Sequence, residues 1–363
     1  MTDRDLISVG DIAVESVEQV LDLAGAFADG RGARDLARGK LLATLFYEPS
    51  TRTRLSFEAA MQRLGGGVLS AAEMSSSSAA KGETLHDTMQ MVSGYADAVV
   101  LRHPSPGSAR AAQRGARIPL VNGGDGAREH PTQALLDLFT LRRETKRVRG
   151  WAVALVGDLR RARTAHSLAL LLARFKARLH CVAPRGLQLP GTLLARLQEL
   201  GAAPVLHERL EEPWEGTPVI AQADAVYVMR VQRERFASAE EYERARNAYR
   251  ITPQTLAAAR KDCVVLHPLP RAGELDPAVD ADPRAAYFRQ AAYGVPVRMA
   301  VLAAMLGLTD FAWRTTAPAA QPAPQPCGNE KCILRNEPNL PADALVYESG
   351  PVCAYCEHAL GGA

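Results

Sequence analysis

Between residues 16 and 308, short apolar runs alternate with amphipathic segments, and that alternation restricts the fold more than any other property of the chain. LLATLFY (41–47) has strand length and stops at Glu48-Pro49. DAVVLR (97–102), IPLVNG (118–123), WAVALVG (151–157), RLHCVAP (178–184), DAVYVM (224–229) and CVVLHPLP (263–270) follow the same pattern. Helical periodicity fills the intervals: Val17, Val20, Leu21, Leu23 and Ala24 share one face of Ser16 to Phe27, and further helices are expected from Ser50 or Thr51, from Pro131 to Arg143, from Thr164 to Phe175 and over 193–200. Apolar strands separated by helices imply βαβ units and parallel sheets. A chain of 363 residues has room for two or three domains. We therefore expect two parallel-sheet α/β domains, 1–147 and 148–293. A last apolar helix over about 294–308 has a packing partner that the sequence leaves open, the first domain being one candidate.

Composition excludes several classes. With 47% apolar and 23% charged residues the chain is not a disordered one, and a net charge of +3 is too small to announce a nucleic-acid partner. No apolar run approaches the roughly 18 residues of a membrane span, and the opening MTDRDLISVGDIAV carries acids where a signal peptide would be basic and then apolar. A cytoplasmic protein is expected. Residues 313–326 hold four prolines and no periodicity and read as a semi-extended linker, so 327–363 should form a small module of its own.

That module holds four of the six cysteines. Cys327-x4-Cys332, twenty residues, then Cys353-x2-Cys356 is a two-knuckle spacing suited to four thiolates around one tetrahedral zinc. Two disulfides are the alternative, disfavoured in the cytoplasm. Four protein ligands leave no open position, so one structural zinc per chain is expected. Lys331 and Arg335 stand against Glu330, Glu337, Asp343, Glu348 and Glu357, the wrong sign for a phosphate backbone, so the module should meet protein.

EPSTRTR (48–54) lies between an expected strand and an expected helix. Cations at a helix start oppose the macrodipole, and an anion bound there removes the conflict. Ser50, Thr51 and Thr53 can donate hydroxyl and backbone N–H bonds, and Arg52 can grip a phosphate with two prongs. A serine-capped helix with solvated arginines is the plain alternative. Elsewhere, GDLRRARTAHS (157–167) lacks GxGxxG and is a poor dinucleotide site.

STRTR after a strand resembles the carbamoyl-phosphate loop of the transcarbamoylase family, and KGET (81–84), HPTQ (130–133), RVQ (230–232) and HPLPR (267–271) match in order over about residues 5–310. Together with GDLRRARTAHS these resemble aspartate carbamoyltransferase catalytic chains. The resemblance implies two α/β domains of transcarbamoylase type with the active site between them, and carbamoyl transfer from carbamoyl phosphate to the L-aspartate amine in pyrimidine biosynthesis, with no organic cofactor and no catalytic metal. It assigns the phosphate to Ser50, Thr51, Arg52, Thr53 and Arg102, the carbonyl oxygen to His130, and the carbamoyl nitrogen to Gln133 and the carbonyls of Pro268 and Leu269. Arg163 would hold the α-carboxylate of aspartate, Arg230 and Gln232 its side-chain carboxylate. Ser77 and Lys81 would reach the neighbouring subunit's site, Lys81 meeting substrate there, which implies a homotrimer or a pair of trimers. Arg160 and Arg161 read as solvated or structural. The tail resembles the zinc domain of the aspartate carbamoyltransferase regulatory chain, here fused to the catalytic chain, which suggests an assembly clip on its own or a neighbouring catalytic domain. Rival readings are an ornithine carbamoyltransferase-type enzyme, which shares the phosphate loop but typically has HCLP and SMG motifs, and a non-catalytic scaffold for a partner enzyme of the pathway.

Overall fold

The computed structural model describes residues 4–72, 82–230, 238, 240, 243, 249–316 and 318–361. Its internal contacts separate two compact units. One runs to Leu135 and resumes at Gly294; the other is Leu136–Tyr293.

The first unit contains α1 (Val14–Ala28), β1 (Leu41–Phe46), α2 (Thr51–Arg63), β2 (Gly67–Ala72), α3 (Leu85–Val92), β3 (Ala98–His103), α4 (Ser108–Gln113), β4 (Leu120–Asp125) and the start of α5 (Pro131–Thr145). The strands form one parallel sheet in the order β2-β1-β3-β4. Burial of β1 after its first residue fits its largely apolar sequence LLATLF, whereas β4 is buried throughout although LVNGGD carries Asn122 and Asp125. Strand β2 was hidden in the sequence because GVLSAA is small, lies at the sheet edge and runs on into serines. The chain moves outward from β1 to β2, then crosses back to β3. Loops after β1 and β3 therefore leave in opposite directions, opening a crevice at the strands' carboxyl ends.

The second unit contains β5 (Ala152–Val156), α6 (Arg163–Arg174), β6 (Arg178–Val182), α7 (Gly191–Glu199), β7 (Val205–His207), the hairpin β8 (Pro213–Trp214) and β9 (Thr217–Pro218), α8 (Val219–Gln222), β10 (Ala225–Val228), α9 (Pro253–Ala257), β11 (Val264–Leu266) and the first turns of α10 (Tyr287–Met305). Its parallel sheet has the order β11-β10-β5-β6-β7, with the reversal between β5 and β10. Just past β5, Gly157 has φ +116° and a Cβ there would stand 2.3 Å from the carbonyl oxygen of Met229, so only glycine fits. The split between the units falls at Leu135/Leu136 within α5 and at Tyr293/Gly294 within α10. A helix keeps its own periodicity along its length, which is why neither split shows in the sequence.

The tail forms a three-stranded antiparallel sheet, β12 (Gln321–Pro322), β13 (Asp343–Tyr347) and β14 (Gly350–Cys353). Among the described residues its apolar side chains join the core of the first unit. Ile333, Leu345, Val352 and Tyr355 share it with Leu45, Leu101, Ala109 and Ala112. The stretch expected as a linker is tied down at its start: Trp313 is buried and donates to the Asp5 carbonyl at 3.3 Å, and Thr316 N–H donates to the Asp11 carbonyl at 2.7 Å. Further along, Ile333 N–H donates to the Pro106 carbonyl at 3.0 Å and both Glu337 oxygens accept from Leu85 N–H at 3.0 Å. Gly107, at φ +88°, is the tightest point of this seam: a Cβ there would lie 2.6 Å from Tyr355 Cβ. Gly107→Ala should cost about 2–4 kcal/mol, combining overpacking with left-handed strain. Thermal unfolding reads this, and an unmoved midpoint would count against the docked tail. Among the described residues no helix is long and apolar enough to cross a membrane.

Candidate active site

The first turn of α2 is built to meet an anion. Ser50 is the N-cap, yet its side chain makes no capping hydrogen bond, and the first turn carries no acid. Arg52 is exposed there, and partial burial lowers its pKa from the ordinary value. Helix-start N–H groups, a hydroxyl that makes no capping bond and a cation thus converge where the helix dipole favours negative charge. Ser50 holds the N-cap position without its side chain capping, and Arg52 is exposed.

Two neighbours complete this side. Arg102, near the end of β3, pairs with Phe46 in register. Its guanidinium lies 2.6 Å from Glu48 Oε1 and donates to the Gly123 carbonyl at 3.2 Å, so it is held across the β1/β3 reversal. A phosphate arriving there would exchange one anionic partner of Arg102 for another. His130 is buried, with Nε2 3.3 Å from Thr53 Oγ1. Its carbonyl accepts from the N–H groups of Gln133 and Ala134, which places it at the start of α5 with Gln133 in the first turn. The structure places Ser50, Thr51, Arg52 and Thr53 at the start of α2, Arg102 near the end of β3, and His130 and Gln133 at the start of α5, on the carboxyl-end side of the first sheet.

Sequence reasoning missed Arg298. It is buried, sits 5.0 Å over the Phe57 ring of α2 and donates to Thr132 Oγ1 at 3.4 Å, so it ties α2 to the start of α5. A lone arginine within VPVRMAVLAAML was the available signal.

In the second unit Arg163 opens α6 and Arg230 follows β10, on the two strands that flank the reversal. Arg160 and Arg161 are exposed, and Arg160 donates to the Gly186 carbonyl at 3.3 Å. Pro268 and Leu269 follow β11, Leu269 at φ +53°. A chain of hydrogen bonds holds this turn. Leu269 N–H donates to His267 Nδ1 at 2.8 Å, His267 Nε2 lies 2.7 Å from Glu274, His267 N–H donates to Gln290 at 2.9 Å, and Gln290 and Tyr227 both donate to Asp137. Apart from the local Leu269–His267 bond, these supports join residues distant along the chain, which hid them in the sequence. Ser77, Lys81 and Gln232 lie outside the described residues. Cys181 and Cys263 are buried, and burial pushes both thiols up to about 12, so neither is a nucleophile.

The tail cysteines meet. Cys327, Cys332, Cys353 and Cys356 place their sulfurs within 4.8 Å of one another, with Cys327 to Cys356 at 3.5 Å and Cys332 to Cys353 at 3.9 Å. Tetrahedral thiolates at about 2.3 Å from zinc stand about 3.8 Å apart, so the donor set fits a metal, whereas a disulfide needs about 2.05 Å.

Residues 4–143 match the family model described as the carbamoyl-P binding domain of aspartate/ornithine carbamoyltransferase, and 149–305 match its Asp/Orn binding domain. The aspartate carbamoyltransferase catalytic subunit of Archaeoglobus fulgidus is 47% identical over 306 residues, covering 84% of this chain and 99% of that one. That of Thermoplasma acidophilum is 43% identical over 310 residues, covering 85% and 99%. Among solved structures, the catalytic subunit of M. jannaschii aspartate transcarbamoylase superposes with a TM-score of 0.77 at 43% identity, covering 84% of this chain and 98% of that one. The Trypanosoma cruzi enzyme in complex with carbamoyl phosphate and aspartate gives 0.75 at 38% identity, covering 83% and 95%. These matches span nearly all of the relatives, and both domain models end before the cysteine-rich tail. Uncapped α2, the two sheet reversals and both domain matches agree, and the chain belongs to the aspartate carbamoyltransferase catalytic subunit family, within the aspartate/ornithine carbamoyltransferases.

Proposed function

We propose that this chain transfers the carbamoyl group of carbamoyl phosphate to L-aspartate, giving N-carbamoyl-L-aspartate and phosphate, with residues 1–147 binding carbamoyl phosphate and 148–293 binding aspartate. The observation that carries this reading is the anion-ready start of α2, with His130 hydrogen-bonded to Thr53 beside it. Ser50, Thr51, Arg52, Thr53 and Arg102 bind the phosphate. His130 donates to the carbonyl oxygen as negative charge grows there, and Gln133 with the carbonyls of Pro268 and Leu269 orients the carbamoyl NH₂. Arg163 takes the α-carboxylate; Arg230 and Gln232 take the side-chain carboxylate, where a planar guanidinium suits a two-pronged contact. The amine nitrogen bonds to the carbonyl carbon, the bond between that carbon and the bridging phosphate oxygen breaks, and phosphate leaves with the electron pair. The amine proton passes to a phosphate oxygen, the base the substrate itself supplies. Rate then comes from positioning and fixed charge.

A homotrimer, or a pair of trimers, with Ser77 and Lys81 supplied across subunits follows from the same family reading. The four cysteines would hold one zinc per chain, whose contribution is to fold the tail. A colorimetric ureido assay on the purified chain tests the main reading. Carbamoylation of aspartate and inhibition by N-(phosphonacetyl)-L-aspartic acid, the ligand of a T. cruzi relative, are expected. Carbamoylation of ornithine in place of aspartate would overturn it.

A further inference from the structure

Two residues before His130, the chain buries a charge whose partner comes from the tail. Arg128 has 3% of its side chain exposed, Asp125 1%, Glu129 2% and Glu357 28%. Its Nη2 hydrogen-bonds to Glu357 Oε1, while Nε and Nη1 have no hydrogen-bond partner among the described residues. Asp125 and Glu129 stand farther off, at 3.6 and 3.5 Å, and both are committed to the backbone. Asp125 accepts from the N–H groups of Gly107 and Glu129 and from Asn122; Glu129 accepts from Val9 N–H. These bonds set the turn 125–129 that delivers His130 to Thr53.

A buried guanidinium needs a hydrogen-bonded anion. If Glu357 is withdrawn, the nearest remaining anions are Asp125 Oδ2, which holds Gly107 N–H, and Glu129 Oε1, whose carboxylate holds Val9 N–H through its other oxygen; closing either gap of about half an ångström or more shifts the turn ahead of His130. Glu357 has little freedom to withdraw by itself: it sits at φ +59° one residue after Cys356, with its N–H donating to the Cys353 carbonyl at 2.9 Å. We propose that Glu357 is a positioning residue for carbamoyl transfer, acting through Arg128 on the turn that places His130, so that the tail sets the geometry of the carbamoyl-phosphate side. This rests on the function proposed above.

The test uses the full chain with its metal. E357Q removes the charge while keeping the shape, and E357D keeps the charge on a shorter arm. D343N is the control, since Asp343 joins the tail to Arg114 at 3.3 Å away from the Arg128 cluster. For E357Q we expect kcat/KM for carbamoyl phosphate to fall about 10- to 100-fold, as a small misplacement of a reacting group does. The Kd of N-(phosphonacetyl)-L-aspartic acid by calorimetry should weaken in parallel, with metal content unchanged. E357D should recover part of the loss and D343N should match the parent. Parent-like kinetics and Kd in E357Q would overturn the proposal, as would an equal loss in D343N. Should E357Q shed metal, R128K carries the test, because it breaks the pair from the other side; parent-like kinetics there would overturn the proposal. An inactive parent chain would remove the functional reading and this inference with it, whereas an active parent with an unmoved E357Q removes this inference alone.

Discussion

Arg52→Ala should lower kcat/KM for carbamoyl phosphate by about 10²–10³ while leaving the fold as stable as before, or slightly more so. The two halves of this expectation have opposite causes. For catalysis, Arg52 is a cation in the first turn of a helix whose N-cap hydroxyl makes no capping bond, and removing one preorganised donor from developing or transferred charge costs about two to three orders of magnitude. For stability, a cation at the positive end of a helix dipole is unfavourable by about 0.3–1 kcal/mol, so alanine relieves a conflict. Arg52 is exposed, and no cavity is left behind. The alternative, a solvated arginine beside an ordinary helix start, expects the same stability change with no loss of rate. Steady-state kinetics and a thermal melt on one variant separate them: retained activity would remove the phosphate assignment, and a large fall in melting temperature would show that Arg52 serves the fold instead.

What the sequence disclosed and what it hid follow from the range of the interactions. Strands such as 152–156 and helices such as 163–174 are written in consecutive residues, so periodicity alone finds them. The phosphate loop was legible because its oddity is local: arginines at a helix start with no acid to balance them. The cysteine spacing was legible for the same reason. Long-range pairings were not. Nothing in GGDGAREHPTQ marks Arg128 as buried, and nothing in CAYCEHAL marks Glu357 as its partner across 229 positions. The tail therefore looked like a separate module, when its apolar side chains complete a core begun by β1, β3 and α4. Arg298 and the His267–Glu274 pair were missed likewise: their roles lie in what they touch, not in their neighbours along the chain.

Removing the metal should then damage the catalytic unit as well as the tail. Binding of a structural zinc contributes on the order of 10–16 kcal/mol in small zinc-folded peptides, enough to decide whether a segment like 327–361 folds at all. Here the segment buries Ile333, Leu345, Val352, Tyr355 and Leu360 in the core that also holds Leu45, Leu101, Ala109 and Ala112. At about 1.5–3 kcal/mol for each large apolar side chain, discounted for residual burial in the unfolded chain, exposing that face costs the first unit several kcal/mol. For a domain of this size each kcal/mol moves the melting temperature by about 2–4 °C, so a fall of about 10 °C or more is expected on chelation. One zinc per chain should be released, and a dye that binds exposed apolar surface should brighten. Cys332→Ser should reproduce this without chelator, since Cys332 is fully buried and its sulfur lies 3.9 Å from that of Cys353. A reductant without a chelator should do nothing, which separates a thiolate site from a pair of disulfides. Cutting the chain within 317–326 poses the complementary question. If the cut chain keeps its oligomer mass and melting temperature after the tail is washed away, the tail is an ornament and the shared core contributes little. If the tail stays bound until chelator is added, the metal holds the fold of the tail and the apolar seam holds the tail to the enzyme.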